Sequence, residues 1–209
     1  MVYCDTSRWW GWGDPQAPSL LAERPELEAH LRRRLELDGA GPGLPIPELS
    51  RVELPASRLQ ASTRQQLERL VGPTGVDLSH EGRLRHSAGK SYVDLVRLRR
   101  GEIPNAPDAV VHPSTPEQVA ALLEFAAAQD LAVVPFGGGT SVLGGVAPVD
   151  PGRNRPVLTL DLRSLDRLLE VDPVSRTALV EAGILGPALE AALEKQGLTV
   201  GHFPQSFEY

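Results

Sequence analysis

The segment Val133-Val134-Pro135-Phe136-Gly137-Gly138-Gly139-Thr140-Ser141-Val142 holds the most telling chemistry of this 209-residue chain. An apolar run of strand type enters three consecutive glycines and leaves through two hydroxyl residues. Glycine has no Cβ and adopts positive φ readily, so such a turn lets main-chain N–H groups converge on an anion. Thr140 and Ser141 place side-chain donors at the same point. A phosphate or pyrophosphate suits this chemistry; a plain glycine-rich turn between two strands is the alternative. A Walker loop is excluded, because no lysine precedes Thr140-Ser141. The dinucleotide fingerprint fails as well: counted from Gly137, its sixth position is Val142. Gly144, Gly145 and Pro148 also discourage a helix from opening at the loop, so a short helix dipole at most stands behind the anion.

Other polar residues are read more plainly. His30, His80 and His86 stand in polar surroundings and read as surface residues. His112 precedes Pro113 at a strand end and reads as a satisfied structural side chain. No pair of histidines has metal-ligand spacing, and Cys4 is the only cysteine, so neither a metal nor an intrachain disulfide is expected. Arg83, Arg85 and Lys90 either line a phosphate site or form a solvated loop, the second reading being preferred. Arg32, Arg33 and Arg34 read as a solvated face.

The elements that position the glycine loop follow from periodicity and punctuation. Ala109-Val110-Val111 is a short β-rich run. Thr115 is a natural N-cap, Pro116 suits the first helical position, and Gln118 completes a capping box. Val119, Leu122, Leu123 and Ala126 form the apolar stripe of that helix. Leu131 to Phe136 is the next strand, so strand, helix and strand compose a βαβ unit with parallel strands. The glycine loop therefore leaves the carboxyl end of a strand, where α/β sheets place ligands. Val157 to Leu162 and Leu168 to Val171 read as strands. A turn at Asp172 to Ser175 then leads to a hairpin partner at Thr177 to Glu181. Gly186-Pro187 opens a helix with Leu189, Ala192 and Leu193 inward, closed by Gly197. Upstream, Pro25 to Leu37 reads as a helix with Leu27, Leu31 and Leu35 on one stripe. A second helix, capped by Ser62 or Thr63, carries Leu67, Leu70 and Val71. All three tryptophans lie in Trp9-Trp10-Gly11-Trp12-Gly13, a cluster that is expected to pack onto another surface.

Composition narrows the function classes. With 21 basic against 27 acidic side chains the net charge is −6, which argues against a nucleic-acid surface. No apolar run approaches the roughly 20 residues of a membrane span, and the amino terminus has no signal architecture, so a cytoplasmic location is expected. Glycine and proline gather between elements, at Gly39 to Pro47, Gly72 to Gly75 and Pro104 to Pro107, as loops and linkers.

These residues together resemble the FAD-binding domain of the vanillyl-alcohol oxidase / p-cresol methylhydroxylase (PCMH-type) flavoproteins. The likeness rests on Pro107-Asp108-Ala109-Val110-Val111-His112-Pro113, the capped helix, Val134 to Ser141, and Val180-Glu181-Ala182-Gly183-Ile184. Within that superfamily the chain resembles the alkyldihydroxyacetonephosphate synthases. Trp9 to Gly13 is similar to their Trp-Gly-Trp-Gly element, and Arg97 to Asp108 to their approach to the flavin domain. Gly201-His202-Phe203-Pro204-Gln205-Ser206-Phe207-Glu208-Tyr209 is similar to their Gly-His-Glu-Pro-Asp-Ser-Leu-Glu-Phe segment. The chain departs from that pattern at Phe203 and Gln205, each replacing an acid.

The resemblance implies an α+β fold: a PCMH-type FAD-binding domain over 106–209, built from the βαβ unit and a mixed sheet with flanking helices. That domain is expected to be incomplete at its carboxyl end, and to follow a mainly helical extension over 1–75 and a connecting segment over 76–105. Pro135, Phe136, Gly137, Gly138, Gly139, Thr140 and Ser141 would wrap the FAD pyrophosphate. Gln205, Ser206, Phe207, Glu208 and Tyr209 would begin a second flavin-contacting segment. His202, beside that segment, is the one weak catalytic candidate, since an imidazole near neutral pKa can carry a proton. Thr140 stands where some members tether flavin through a histidine, which implies non-covalent FAD. The implied activity is acyl-for-alkyl exchange on acyl-dihydroxyacetone phosphate, with a small or lipid-like substrate and a possible homodimer in the full-length protein. An FAD-dependent 2-hydroxy-acid oxidase or dehydrogenase, and an inert truncated FAD-binding fragment, are the alternatives.

Overall fold

The computed structural model describes residues 7–18, 20–37, 45–150 and 154–209. Cys4 and the glycine-rich stretch at 38–44 lie outside the described residues. The helices are α1 (Leu20–Glu23), α2 (Pro25–Arg34), α3 (Ala61–Val71), α4 (His80–Arg85), α5 (Tyr92–Arg100), α6 (Pro116–Ala128) and α7 (Gly186–Glu194). The strands are β1 (Val76–Asp77), β2 (Ala109–Val111), β3 (Ala132–Phe136), β4 (Val157–Asp161), β5 (Leu168–Asp172) and β6 (Thr177–Val180).

Four strands form one sheet in the order β1-β2-β4-β3. β4 runs parallel to both β2 and β3, with Val110 opposite Thr159 and Phe136 opposite Asp161. β2 and β3 thus point the same way, as a βαβ unit requires, but β4 lies between them. β1 joins the other edge antiparallel, Val76 opposite Val111. β5 and β6 make the expected antiparallel hairpin as a separate sheet. Because β3 is an edge strand, Pro135 removes no N–H that the ladder needs.

One face of the sheet is apolar. Leu67 of α3 and Leu122 and Ala126 of α6 pack on Ala109, Val111, Leu158 and Leu160. The α6 stripe is rotated relative to expectation: Phe125 packs on the core, while Leu123 is 48% exposed. Its start is more elaborate than a simple box. The Thr115 hydroxyl oxygen accepts from the Gln118 N–H at 3.3 Å, but the Gln118 side-chain oxygen Oε1 accepts from the Ser114 N–H at 2.7 Å, one residue earlier.

Other local expectations need correction. α3 starts after Gln60 with no side-chain cap, so neither Ser62 nor Thr63 serves; Thr63 is instead buried. α2 carries no buried side chain, and Leu35 on its stripe is 61% exposed. Three helices, α1, α4 and α5, arise where none was expected. Ser79 caps α4 by accepting from the Gly82 N–H, and Ser91 with Asp94 forms a full capping box on α5. Asp108 ties the upstream chain to the sheet: its carboxylate accepts from the Arg58 guanidinium at 2.9 Å and from the Val157 N–H at 2.7 Å. Arg83, expected at a phosphate site or in a solvated loop, does neither. It is buried and donates to the carbonyls of Pro107 at 2.7 Å and Pro55 at 2.6 Å. The expected solvated loop also fails for Arg85, which bridges Glu81 and donates to the Ser7 carbonyl at 2.9 Å.

Candidate functional site

The glycine loop leaves the carboxyl end of β3 and no helix follows it directly; residues 142–146 run as bends and turns. Two of the three glycines are each required for a different reason. Gly139 has φ +66°, and a Cβ there would lie 2.6 Å from Cζ of Phe136. A Cβ on Gly138 would lie 2.4 Å from the Tyr209 carbonyl carbon, whereas Gly137 faces open space. Opposite the loop, Gly89 admits the Ser141 carbonyl: a Cβ there would stand 2.2 Å from its oxygen, and the next residue, Lys90, donates its N–H to that oxygen at 2.8 Å. The Ser141 hydroxyl oxygen accepts from the Gly145 N–H at 2.9 Å, which closes the turn behind the glycines.

Among the described residues, no amide N–H of Gly137 to Ser141 donates to a protein acceptor. Such groups are costly to leave unpaired away from water. A cluster of undonated amides around an open glycine is the geometry that an anionic diphosphate fits.

Beneath the loop lies a buried polar group that the sequence reading missed. The Phe136 ring packs against His86 at a tilt of 53°, with centroids 4.3 Å apart, and carries the Arg163 guanidinium at 5.6 Å. Asp161, opposite Phe136 in the ladder, accepts from Arg163 Nε at 2.9 Å and lies 3.1 Å from His86 Nε2. Burial alone would raise the Asp161 pKa, but hydrogen bonds from His86 and Arg163, with their charge, hold the carboxyl well below the usual carboxylate range. His86 is 4% exposed, so its expected surface position is wrong; its Nδ1 donates to the Gly82 carbonyl at 2.7 Å. His112 is also buried, with Nδ1 3.5 Å from Asp161, yet its Nε2 has no partner, so it is not the fully satisfied side chain expected. Desolvation pushes its pKa down, against the pull of Asp161. The Thr159 hydroxyl, on the same sheet face, is likewise buried without a partner.

The carboxyl-terminal segment reaches the loop through Tyr209. Its backbone lies against Gly138, and its ring meets Trp12 edge-on at 5.2 Å. Ser206 and Phe207 turn back toward α7, where Phe207 fills the space that a side chain on Gly186 would need. Gln205 and Glu208 are exposed. His202 is exposed at the rim of a cavity of about 260 Å³, lined also by Leu189, Phe207 and Tyr209. The structure thus joins Pro135–Ser141 to Tyr209 and leaves His202 on a neighbouring surface. Among the described residues no cluster of His, Cys, Asp or Glu is arranged to hold a metal, and no helix is long and apolar enough to cross a membrane.

Comparison with known proteins agrees with this geometry. Residues 107–209 match the family described as FAD binding domain. A solved p-cresol methylhydroxylase shares the fold at TM-score 0.55 and 20% identity, over 70% of this chain and 27% of that one. The chain thus has an α+β fold of the PCMH type and carries an FAD-binding domain over residues 107–209, with FAD as its cofactor. It is also similar to the alkyldihydroxyacetonephosphate synthases. The Trypanosoma brucei brucei synthase is 33% identical over 219 residues, covering 97% of this chain and 36% of the relative. A solved synthase structure superposes at TM-score 0.84 and 29% identity, over 98% of this chain and 41% of that one. The chain therefore spans little more than a third of the length of the curated relatives it matches.

Proposed function

We propose that this chain is the flavin-holding part of an enzyme that exchanges the acyl group of acyl-dihydroxyacetone phosphate for an alkyl group. The observation that carries the reading is the cradle of undonated amides at the end of β3, closed on one side by Tyr209. FAD would supply the reactive ring of the exchange, and this chain holds the far end of the cofactor. Gly137 to Ser141 bind its pyrophosphate through main-chain N–H groups, Pro135 and Phe136 set the height of the loop, and Gln205 to Tyr209 form the second contact. Thr140 leaves the flavin untethered. The FAD-binding unit is assigned to 106–209, with the extension at 1–75 and the connection at 76–105. A lipid-like substrate, a homodimer and a cytoplasmic location complete the proposal. The likeness to the synthases runs through the tryptophan segment, whereas that to p-cresol methylhydroxylase covers a smaller share of the chain.

The test is FAD titration of the purified chain, followed by flavin fluorescence. Saturable binding is expected, with ADP competing and riboflavin not, because the grip is on the diphosphate. Acid precipitation should leave the yellow flavin in the supernatant; a yellow pellet overturns non-covalent binding. A cooperatively melting chain that retains no FAD would establish the inert fragment instead. In a chain carrying the remaining length of the relatives, ether product from a fatty alcohol supports the exchange. Anaerobic flavin bleaching by a 2-hydroxy acid favours the dehydrogenase.

A further inference from the structure

We propose that Ser7–Gly13 is a clamp of the flavin site, with Lys90 and Trp12 as its positioning residues. The inference rests on the FAD reading above and adds a part to that site. The segment is closed on itself, the Arg8 N–H donating to the Gly13 carbonyl at 3.0 Å, and it presents its own carbonyls inward. Lys90 Nζ donates to the Gly11 carbonyl at 2.7 Å and to that of Arg8 at 3.4 Å, and lies 5.9 Å from the Trp12 ring centroid. The main-chain N–H of the same lysine holds the Ser141 carbonyl. One residue therefore grips the tryptophan segment with its side chain and the glycine loop with its backbone.

The other end of the segment grips the carboxyl-terminal segment of the site. The Gly13 N–H donates to the Tyr209 hydroxyl, and Trp12 packs edge-on against the Tyr209 ring. Tyr209 in turn backs Gly138. The contacts close a ring: Ser141, Lys90, Gly11, Trp12, Tyr209, Gly138. Two segments that are more than 60 residues apart in sequence are held at a fixed spacing by a third from the opposite end of the chain. A binding loop without a helix dipole gains most from such prior positioning, since each amide kept in place is one the ligand need not order.

Anchoring is also present on the far side of the segment. Arg99 and Arg8 both lie over the Trp10 ring, at 5.0 and 5.2 Å. Arg85 donates to the Ser7 carbonyl. The segment is thus docked by Arg85 of α4, Arg99 of α5 and Lys90 from the turn between them, and Trp12 is left to meet Tyr209.

The test separates clamp from fold. Lys90→Ala removes the side-chain grip but keeps the main-chain bond to Ser141. Its FAD dissociation constant is expected to rise about tenfold, the loss of one charge-assisted hydrogen bond converted to affinity, with the apo melting temperature little changed. Lys90→Arg, which can still donate to both carbonyls, should restore binding. Trp12→Ala should weaken FAD to a similar degree. Hydrogen exchange on the cofactor-free chain gives a second readout: Lys90→Ala should speed exchange at 137–141 as well as at 7–13. Wild-type affinity in Lys90→Ala and Trp12→Ala, or exchange that rises only at 7–13, overturns the clamp. Absence of FAD binding in the wild type overturns the flavin reading instead, and the exchange result still decides whether the ring of contacts is coupled.

Discussion

Replacing Gly139 by alanine isolates what the glycine loop needs. Two costs act at that position. Its φ of +66° lies in the left-handed region, which costs a residue with a Cβ roughly 1–2 kcal/mol. The new methyl also meets the Phe136 ring at 2.6 Å, and overpacking of that kind costs about 1–3 kcal/mol. The ring cannot retreat, because His86 lies 4.3 Å beneath it and Arg163 flanks it. The loop can, because Gly137 and Gly144 on either side face open space. In the free protein the variant therefore relieves the clash by shifting the loop outward. Binding of FAD pulls the amides back and restores the strain. About 2 kcal/mol should move into the binding free energy, or roughly a 30-fold rise in the dissociation constant. Gly144→Ala is the control: φ is +77°, but nothing lies within 4 Å of its Cβ, so its cost should fall on stability and leave FAD affinity nearly unchanged. Phe136→Leu in the Gly139→Ala background should recover part of the loss, and a double-mutant cycle would read the coupling directly. Fluorescence titration of the wild type, Gly139→Ala, Gly144→Ala, Phe136→Leu and the Gly139→Ala/Phe136→Leu double variant is sufficient. If Gly139→Ala binds FAD within about threefold of Gly144→Ala, the ring does not set the height of the loop.

The buried groups beneath the loop make further predictions. Asp161→Asn should cost about 3–5 kcal/mol in urea unfolding, because it leaves the buried Arg163 charge without its counterion. Since the folded pKa of Asp161 is depressed, its contribution is complete above the unfolded carboxylate value and falls as pH drops toward the folded one; Asp161→Asn should flatten that acid limb. His112, whose pKa burial lowers, should stay neutral to below the usual value of about 6.5, and an NMR titration showing protonation at or above that value would contradict its placement. Leu122→Ala, at a 1% exposed core position, should cost about 2–5 kcal/mol without changing FAD affinity beyond its effect on the folded fraction.

Local signals in the sequence were the dependable ones. Pro116 behind Thr115 marks the start of α6, and the three glycines behind an apolar run mark the end of β3, because each acts within a few residues of itself. Ser79 and the Ser91/Asp94 pair were equally local and announce α4 and α5 by the same capping chemistry. What could not be read depended on distant partners. His86 sits between Arg85 and Ser87, which gives it polar neighbours in sequence. Its burial is decided by Asp161, 75 residues away, and by the Phe136 ring. The pairing of β4 between β2 and β3 depends on where the chain returns after the long turn that follows the glycines, and strand composition does not encode that. The rotation of α6, with Phe125 in and Leu123 out, follows from which face meets Leu67 and Leu158.

The alternation of β4 connects the two halves of the molecule. Leu158 and Leu160 point into the apolar layer between sheet and helices, and Val157, Thr159 and Asp161 point the other way. A fully apolar second face would fold equally well, and replacing buried charge by well-packed apolar groups is often neutral or stabilising. The glycine loop gives the polar choice a purpose. Three glycines together have high conformational entropy, and no helix follows to hold them, so the amides need rigid support from below. Phe136 provides it only if its ring is fixed. His86, itself held by the Gly82 carbonyl, and Arg163, held by Asp161, fix that ring by directional bonds that an aliphatic layer lacks. The desolvation of Asp161 and Arg163 is offset within the cluster, and the order it imposes is transmitted through one aromatic ring to the loop above.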